Sequence, residues 1–373
     1  MSKLLSPIEL GGASLSHRVV MAPLTRSRSD QPGDVPGPLM VEYYAQRASN
    51  GGLIISEGTT VSPSARGWFG APGLFSTAQV EGWKRVTAAV HAKGGVIFSQ
   101  LWHTGRSSHI EVTGGPLPVS ASVNPAYWQD PTRRTSTPSG WVHPSPHRAL
   151  EIGEIAAIVE DYRLAAERAK AAGFDGVELH GANGYLIDQF LQDNSNHRTD
   201  AYGGSIENRV RLLLEVVAAL VSVWGPNRVA VRIGPAGKWN DMSDSEPYAL
   251  FSHVARQLNR FVLAYLHIVE PRVLGNVVVT AGQAPVATEQ LRKVFTGKII
   301  AAGGFEPETA EAILQNGDAD LVAFGRYFIS NPDLPARIRN GWPLASYDRD
   351  SFYTFDATGY VDYPRHEEVA VLA

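Results

Sequence analysis

Eight short apolar runs recur along the chain, and each ends in glycine, proline or polar residues. They cover 18–23, 52–57, 95–101, 175–180, 228–233, 262–269, 298–302 and 320–324. Their hydrophobicity is nearly continuous rather than alternating, which suits strands buried on both faces, as in a parallel sheet. Helical periodicity lies between most of them, over 78–93, 155–172, 206–223, 247–258, 287–295 and 307–315. In the second of these, Ile155, Ile158, Val159, Tyr162, Ala165, Ala166 and Ala169 share one face. Pro307 suits a first helical turn and Gly317 a helix stop. Eight buried runs alternating with helices predict an α/β fold, a (β/α)8 TIM barrel rather than an open sheet.

No shift in composition divides the 373 residues, so 1–373 reads as a single barrel domain. Residues 8–15 read as a small hairpin capping the bottom of the barrel. Residues 104–148, after the third run, are rich in Pro, Ser, Thr and Trp. That stretch is too long for an ordinary connection and is expected to be a functional excursion over the site.

Composition removes several classes. With 44% hydrophobic and 19% charged residues, the chain can build a sizeable core. A net charge of -4, with both signs mixed along the chain, gives no footprint for nucleic acid. The absence of cysteine excludes disulfides, thiolate-held iron-sulfur clusters and thiol catalysis. No apolar run approaches the ~20 residues of a membrane span, and the start is too short in apolar residues for a signal peptide. A cytoplasmic protein is the default expectation. No coiled coil or apolar stripe decides the oligomeric state.

In this barrel, active sites lie at the C-terminal ends of the strands. The seventh and eighth runs end in Gly303-Gly304 and Gly325-Arg326. Bare backbone amides and a guanidinium there suit a phosphate, although glycines can also serve only to start tight turns. Arg232 lies inside a strand, where a buried guanidinium needs a partner. Glu57 or Glu178 is the plain candidate, and an electron-rich ligand is the functional one. Gln100 presents a donor and an acceptor together, which suits an imide edge. Thr25 can donate to a ligand carbonyl or cap its own turn.

The fourth run ends in His180, with Asn183 and Tyr185 close behind. A neutral imidazole and a primary amide can donate to one oxygen and stabilise negative charge developing on it. Tyr185, with a reference pKa near ~10, can deliver a proton at neutral pH. On its own, such a segment is more often structural. The convergence of these strand ends on one barrel mouth favours a phosphorylated heterocycle with a substrate oxygen beside it.

Taken together, the strand-end motifs resemble the Old Yellow Enzyme family of flavin-dependent ene-reductases. The resemblance rests on Ala22-Pro23-Leu24-Thr25-Arg26, Gln100-Leu101-Trp102-His103, His180-Gly181-Ala182-Asn183-Gly184-Tyr185 and Asn196-His197-Arg198-Thr199-Asp200, and it extends over nearly the whole chain. It implies noncovalent FMN. Pro23, Leu24 and Thr25 would line the flavin, with the backbone of Gly58 beside Thr25. Gln100 and Arg232 would hold the pyrimidine edge. Gly303, Gly304, Gly325 and Arg326 would hold the phosphate. NADPH or NADH would be the reductant.

The resemblance also implies that His180 and Asn183 bind the carbonyl of an activated alkene. Hydride from the flavin would go to the β carbon, and Tyr185 would protonate the α carbon. Trp68, Trp102 and Tyr353 would shape the substrate pocket. Some family members carry a second histidine where this chain has Asn183, which bears on substrate preference. Gly58 stands where alanine is common. Arg133 and Arg134, in the excursion, are candidates for a 2′-phosphate and hence for NADPH.

Four alternatives stand beside this reading. A flavin-dependent reductase of nitrate esters or nitro compounds would use the same oxygen-binding pair. A noncatalytic flavin-binding protein would not need Tyr185. A dienoyl-CoA reductase would need the cluster cysteines that the chain lacks, and a hydrolytic metal barrel would need several converging ligands where these strand ends carry Thr, Gln and Arg. The physiological alkene is not legible in the residues.

Overall fold

The strands form where the apolar runs lie. They are β1 Val19–Met21, β2 Leu53–Ile55, β3 Val96–Trp102, β4 Gly176–Gly181, β5 Val229–Ile233, β6 Tyr265–Val269, β7 Ile299–Ala302 and β8 Leu321–Phe324. Each pairs in parallel with the next, β8 pairs with β1, and the ring closes. The structure, a computed structural model, describes residues 2–274, 277–278 and 286–366.

A helix follows each strand: α1 Pro38–Arg47, α2 Thr77–His91, α3 Ile152–Ala171, α4 Ile206–Trp224, α5 Pro247–Leu258, α6 Thr288–Arg292, α7 Pro307–Asn316 and α8 Leu334–Asn340. Local chemistry sets several of their ends. Ser76 and Gln79 form a reciprocal capping box at the start of α2. Pro307 opens α7, and Gly317 stops it at φ +83°. No helix among the described residues is long and apolar enough to cross a membrane.

Side chains alternate across the barrel wall with period two. On β4, Val177 and Leu179 pack outward among the helices, so Glu178 and His180 point inward. On β5, Val229, Val231 and Ile233 pack outward, and Ala230 and Arg232 point inward. On β6, Leu266 and Ile268 face the helices, leaving Tyr265 and His267 to the interior. The lower interior is apolar. Val20, Leu53, Phe98, Ala230, Tyr265, Ile300 and Leu321 fill it, and the antiparallel hairpin Ile8–Leu10 with Ala13–Leu15 covers it. Burying a large apolar side chain contributes about 1.5–3 kcal/mol, so this plug makes the barrel a solid scaffold at the end remote from the polar layer.

Several expectations change in detail. Helix α1 carries no strong periodic signal in the sequence and begins at the Gly37-Pro38 junction. The run 262–269 enters its strand only at Tyr265, because Val262 sits in a left-handed turn at φ +49°. The helix expected over 287–295 is shorter, Thr288–Arg292. The stretch 104–148 carries short helices Ile110–Thr113 and Pro125–Gln129 and a hairpin, Thr135–Thr137 with Gly140–Val142. Tyr127, Arg133, Arg134 and Trp141 of that stretch reach the cavity at the barrel mouth.

Candidate active site

A cavity of about 620 Å³ opens at the C-terminal ends of the strands, within the ~300–1,000 Å³ typical of small-molecule sites. Its wall gathers Pro23, Leu24 and Thr25 after β1, Gln100 of β3, His180, Asn183 and Tyr185 of and after β4, and Arg232 of β5. Gly303 and Gly304 after β7, Gly325 and Arg326 after β8, and Trp68 and Tyr353 complete the predicted set on the wall. Two predicted residues, Gly58 and Trp102, lie outside it.

The turn after β4 is tightly held. Asn183 and Gly184 both adopt positive φ, +59° and +70°. A Cβ on Gly184 would lie 2.5 Å from Asn240 Cβ, so only glycine admits the neighbouring loop. Gly184 N–H donates to Asp188 Oδ2 at 2.9 Å, and Gln189 Nε2 donates to Gly184 O at 2.7 Å. Leu186 N–H donates to His103 O at 3.0 Å, tying the turn to the end of β3.

This scaffold aims the three side chains. Ala182 N–H points at His180 Nδ1 at 3.4 Å, which assigns the proton to Nε2 and makes that nitrogen the donor. Burial, then Arg232 and His267, drive His180 well below the ordinary imidazole pKa, so the ring is neutral. Asn183 is held through its own carbonyl, which accepts Asn240 Nδ2 at 2.9 Å; Asn240 Oδ1 in turn accepts Tyr127 Oη at 3.1 Å. Tyr185 meets the His180 ring edge to face at 5.0 Å and Trp102 at 4.9 Å. Burial raises its pKa above the ordinary phenol value and keeps its proton in place. Trp102 is therefore the wall behind Tyr185 and His180.

The aromatic rim consists of Trp68, Trp141 and Tyr353, with ring centroids 5.3–5.8 Å apart. Trp141 and Tyr127 come from the excursion, and Tyr347 and Phe352 come from the segment after α8. None of these four was singled out from the sequence. The only hint for the last two was the aromatic density between 347 and 353. Arg26 and Arg28 hold that segment. Arg26 donates to Gly359 O at 2.6 Å, and Arg28 donates to the carbonyls of Ser351, Asp356 and Thr358 at 3.0–3.1 Å.

Two expected partners change. Glu57 does not meet Arg232: its Oε2 accepts the backbone N–H groups of Arg26 and Ser27 at 3.1 and 3.2 Å, and Tyr44 Oη donates to its Oε1. Glu178 reaches Arg232 only through His267. Arg133 is engaged with Asp130 and Asp241 at 3.2 and 3.5 Å and lies over the Tyr127 ring, whereas Arg134 is exposed at the rim, bonded to backbone carbonyls and His143.

The wall suits a planar, phosphorylated, polar-edged group. Arg232 Nε is buried without a partner among the described residues, and an unspent buried donor calls for an acceptor. A Cβ on Gly303 would lie 3.1 Å from Glu270 O, and one on Gly325 3.3 Å from Leu24, so both positions favour a bare backbone beside the cavity. The donors available are guanidinium, amide, hydroxyl and backbone N–H, which fit the edge and phosphate of FMN.

Comparison with known proteins agrees with this geometry. The sequence profile of the NADH:flavin oxidoreductase / NADH oxidase family matches residues 3–345. The chain is 46% identical to 12-oxophytodienoate reductase 1 of Oryza sativa subsp. japonica, over 98% of this chain and 94% of that protein. It superposes on an old yellow enzyme homologue from Zymomonas mobilis with TM-score 0.91 and 43% identity, covering 97% of this chain and 99% of the other. Morphinone reductase in complex with tetrahydroNAD gives TM-score 0.88 and 48% identity, over 97% of each chain.

Proposed function

Because the chain belongs to the NADH:flavin oxidoreductase / NADH oxidase family, that of the Old Yellow Enzymes, we propose that its barrel mouth is a flavin site in which His180, Asn183 and Tyr185 act on an activated alkene. The chain is an FMN-dependent, NAD(P)H-dependent ene-reductase. The observation that carries the residue roles is that one cavity gathers these residues. Its lining brings Arg232, Gln100 and the glycines after β7 and β8 together with two neutral donors and a buried phenol.

Thr25, Gln100 and Arg232 would hold the ring edge of FMN, with Pro23 and Leu24 lining it. Gly303, Gly304, Gly325 and Arg326 would hold its phosphate. Bound there, FMN would supply hydride transfer from the nicotinamide to the β carbon of the alkene.

The chain's own residues supply the rest. His180 Nε2–H and the Asn183 amide donate to the substrate carbonyl oxygen. Their bonds strengthen as negative charge grows there, so they favour the transition state over the ground state. Tyr185 delivers its proton to the α carbon and recovers one from solvent. Its raised pKa keeps the hydroxyl protonated at neutral pH. Trp68, Trp141 and Tyr353 screen the mouth from water and shape the alkene's approach, while Trp102 backs the donors. A nitro group presents an oxygen to the same pair.

The visible spectrum of the purified protein tests this reading. Yellow protein that bleaches anaerobically with NADPH or NADH and recolours with 2-cyclohexenone supports it. Bleached protein that ignores both the enone and a nitroalkene contradicts the assigned oxidant, and protein that FMN cannot reconstitute contradicts the cofactor site.

A further inference from the structure

Gln100 and Arg232 reach the cavity from opposite ends of one buried chain of hydrogen bonds. Gln100 Nε2 donates to Glu178 Oε1 at 2.7 Å. Glu178 Oε2 accepts from His267 Nδ1 at 2.8 Å. His267 Nε2 faces Arg232 Nη1 at 3.4 Å. Barrel register sets up the sequence of contacts: Gln100 pairs with Glu178 across β3 and β4, and Arg232 pairs with His267 across β5 and β6. Glu178 and His267 are wholly buried and touch the cavity only through these neighbours.

The chemistry fixes each direction. A carboxylate only accepts, so Gln100 turns its nitrogen toward Glu178 and leaves its carbonyl oxygen for the cavity. Because His267 gives its Nδ1 proton to Glu178, Nε2 is a lone pair that accepts from the guanidinium. Burial holds His267 below the ordinary imidazole pKa. Burial opposes the charge on Glu178, but His267, Arg232 and Gln100 outweigh it and hold the carboxyl below its usual range. One negative and one positive charge thus stand on either side of a neutral ring. A direct Glu–Arg pair would spend the guanidinium, whereas here the imidazole takes one donor and leaves Arg232 Nε unspent.

We propose that Glu178 and His267 are positioning residues for the flavin, orienting both of its pyrimidine-edge contacts and setting how much of the Arg232 charge the bound cofactor feels. The proposal rests on the reading that Gln100 and Arg232 face FMN. In Glu178→Gln the counter-charge is lost while the shape is kept, so the Arg232 field is less compensated. Reduced FMN carries more negative charge than oxidised FMN and gains more from that field.

The test is the midpoint potential and dissociation constant of FMN on the holoproteins, with Arg232→Gln as a control. In Glu178→Gln, the ratio of affinities for reduced over oxidised FMN should rise about tenfold, a positive shift of ~30 mV for a two-electron couple. In His267→Asn, whose side chain still reaches Glu178 but not Arg232, FMN should bind about tenfold more weakly. Wild-type potential in folded, FMN-loaded Glu178→Gln overturns the proposal, as does wild-type FMN affinity in folded His267→Asn. If Arg232→Gln itself leaves both quantities unchanged, the pyrimidine-edge reading fails, and this one with it.

Discussion

Trp102 occupies the space that a side chain at position 58 would fill: a Cβ on Gly58 would lie 2.6 Å from Trp102 Cε3. Real Cβ contacts of that length do not persist, so the absence of a methyl at 58 is what lets the indole lie where it backs Tyr185 and His180. Gly58→Ala should therefore move Trp102, at an overpacking cost of about 1–3 kcal/mol. FMN content should stay near wild type while the enone KM changes several-fold. A crystal structure of the variant with Trp102 unmoved would refute the coupling.

The oxygen-binding pair is testable without turnover. A phenol imitates the enolate oxygen and should perturb the flavin spectrum on binding. Each hydrogen bond to a charged oxygen contributes about 1.5–3 kcal/mol, so His180→Ala with Asn183→Ala should weaken phenol binding by tenfold or more. Equal dissociation constants in wild type and double variant would remove the assignment.

Stability should carry the signature of Asp188. Burial pushes its carboxyl up to about 7 in the fold, whereas an unfolded aspartate titrates near ~3.9. The native state therefore holds a proton that the unfolded state has lost between about pH 4 and 7. Its contribution is full below pH 4 and fades as pH rises to 7. Urea denaturation of wild type and Asp188→Asn at pH 4.5 and 8 should show the variant gaining on wild type at the higher pH. A difference independent of pH would contradict the buried, proton-binding carboxyl.

Arg134 is the better candidate of the two excursion arginines for reading a nicotinamide's 2′-phosphate, since Arg133 is already engaged with two carboxylates. Arg134→Ala should raise the KM for NADPH several-fold and leave that for NADH unchanged, measured by anaerobic flavin bleaching. Parallel changes for both nucleotides would dismiss the phosphate contact.

How much of this was legible in the sequence follows from physical range. Every barrel strand announced itself, because burial on both faces forces a continuous apolar run that local reading detects. His180, Asn183 and Tyr185 were legible for the same reason: they follow one strand within a single turn, and the strand's direction says where they point. The Arg232 partner was not, because Glu57 follows β2 while Glu178 and His267 lie on β4 and β6, and only the barrel brings the last two together beside β5. Tyr127 and Trp141 escaped notice because the excursion follows no period. Phe352 and Tyr347 escaped because long-range bonds from Arg26 and Arg28, rather than local pattern, fold the C-terminal segment over the mouth.

The most direct test of the central claim is to separate the two half-reactions in Tyr185→Phe by anaerobic stopped flow. Reduction of bound FMN by the nicotinamide should proceed at the wild-type rate, because the phenol takes no part in it. Reoxidation by 2-cyclohexenone should fall by about 10²–10⁴-fold, the usual loss when a positioned general acid is removed. Reoxidation at the wild-type rate would contradict Tyr185 as the proton donor and reopen the chemistry of the site.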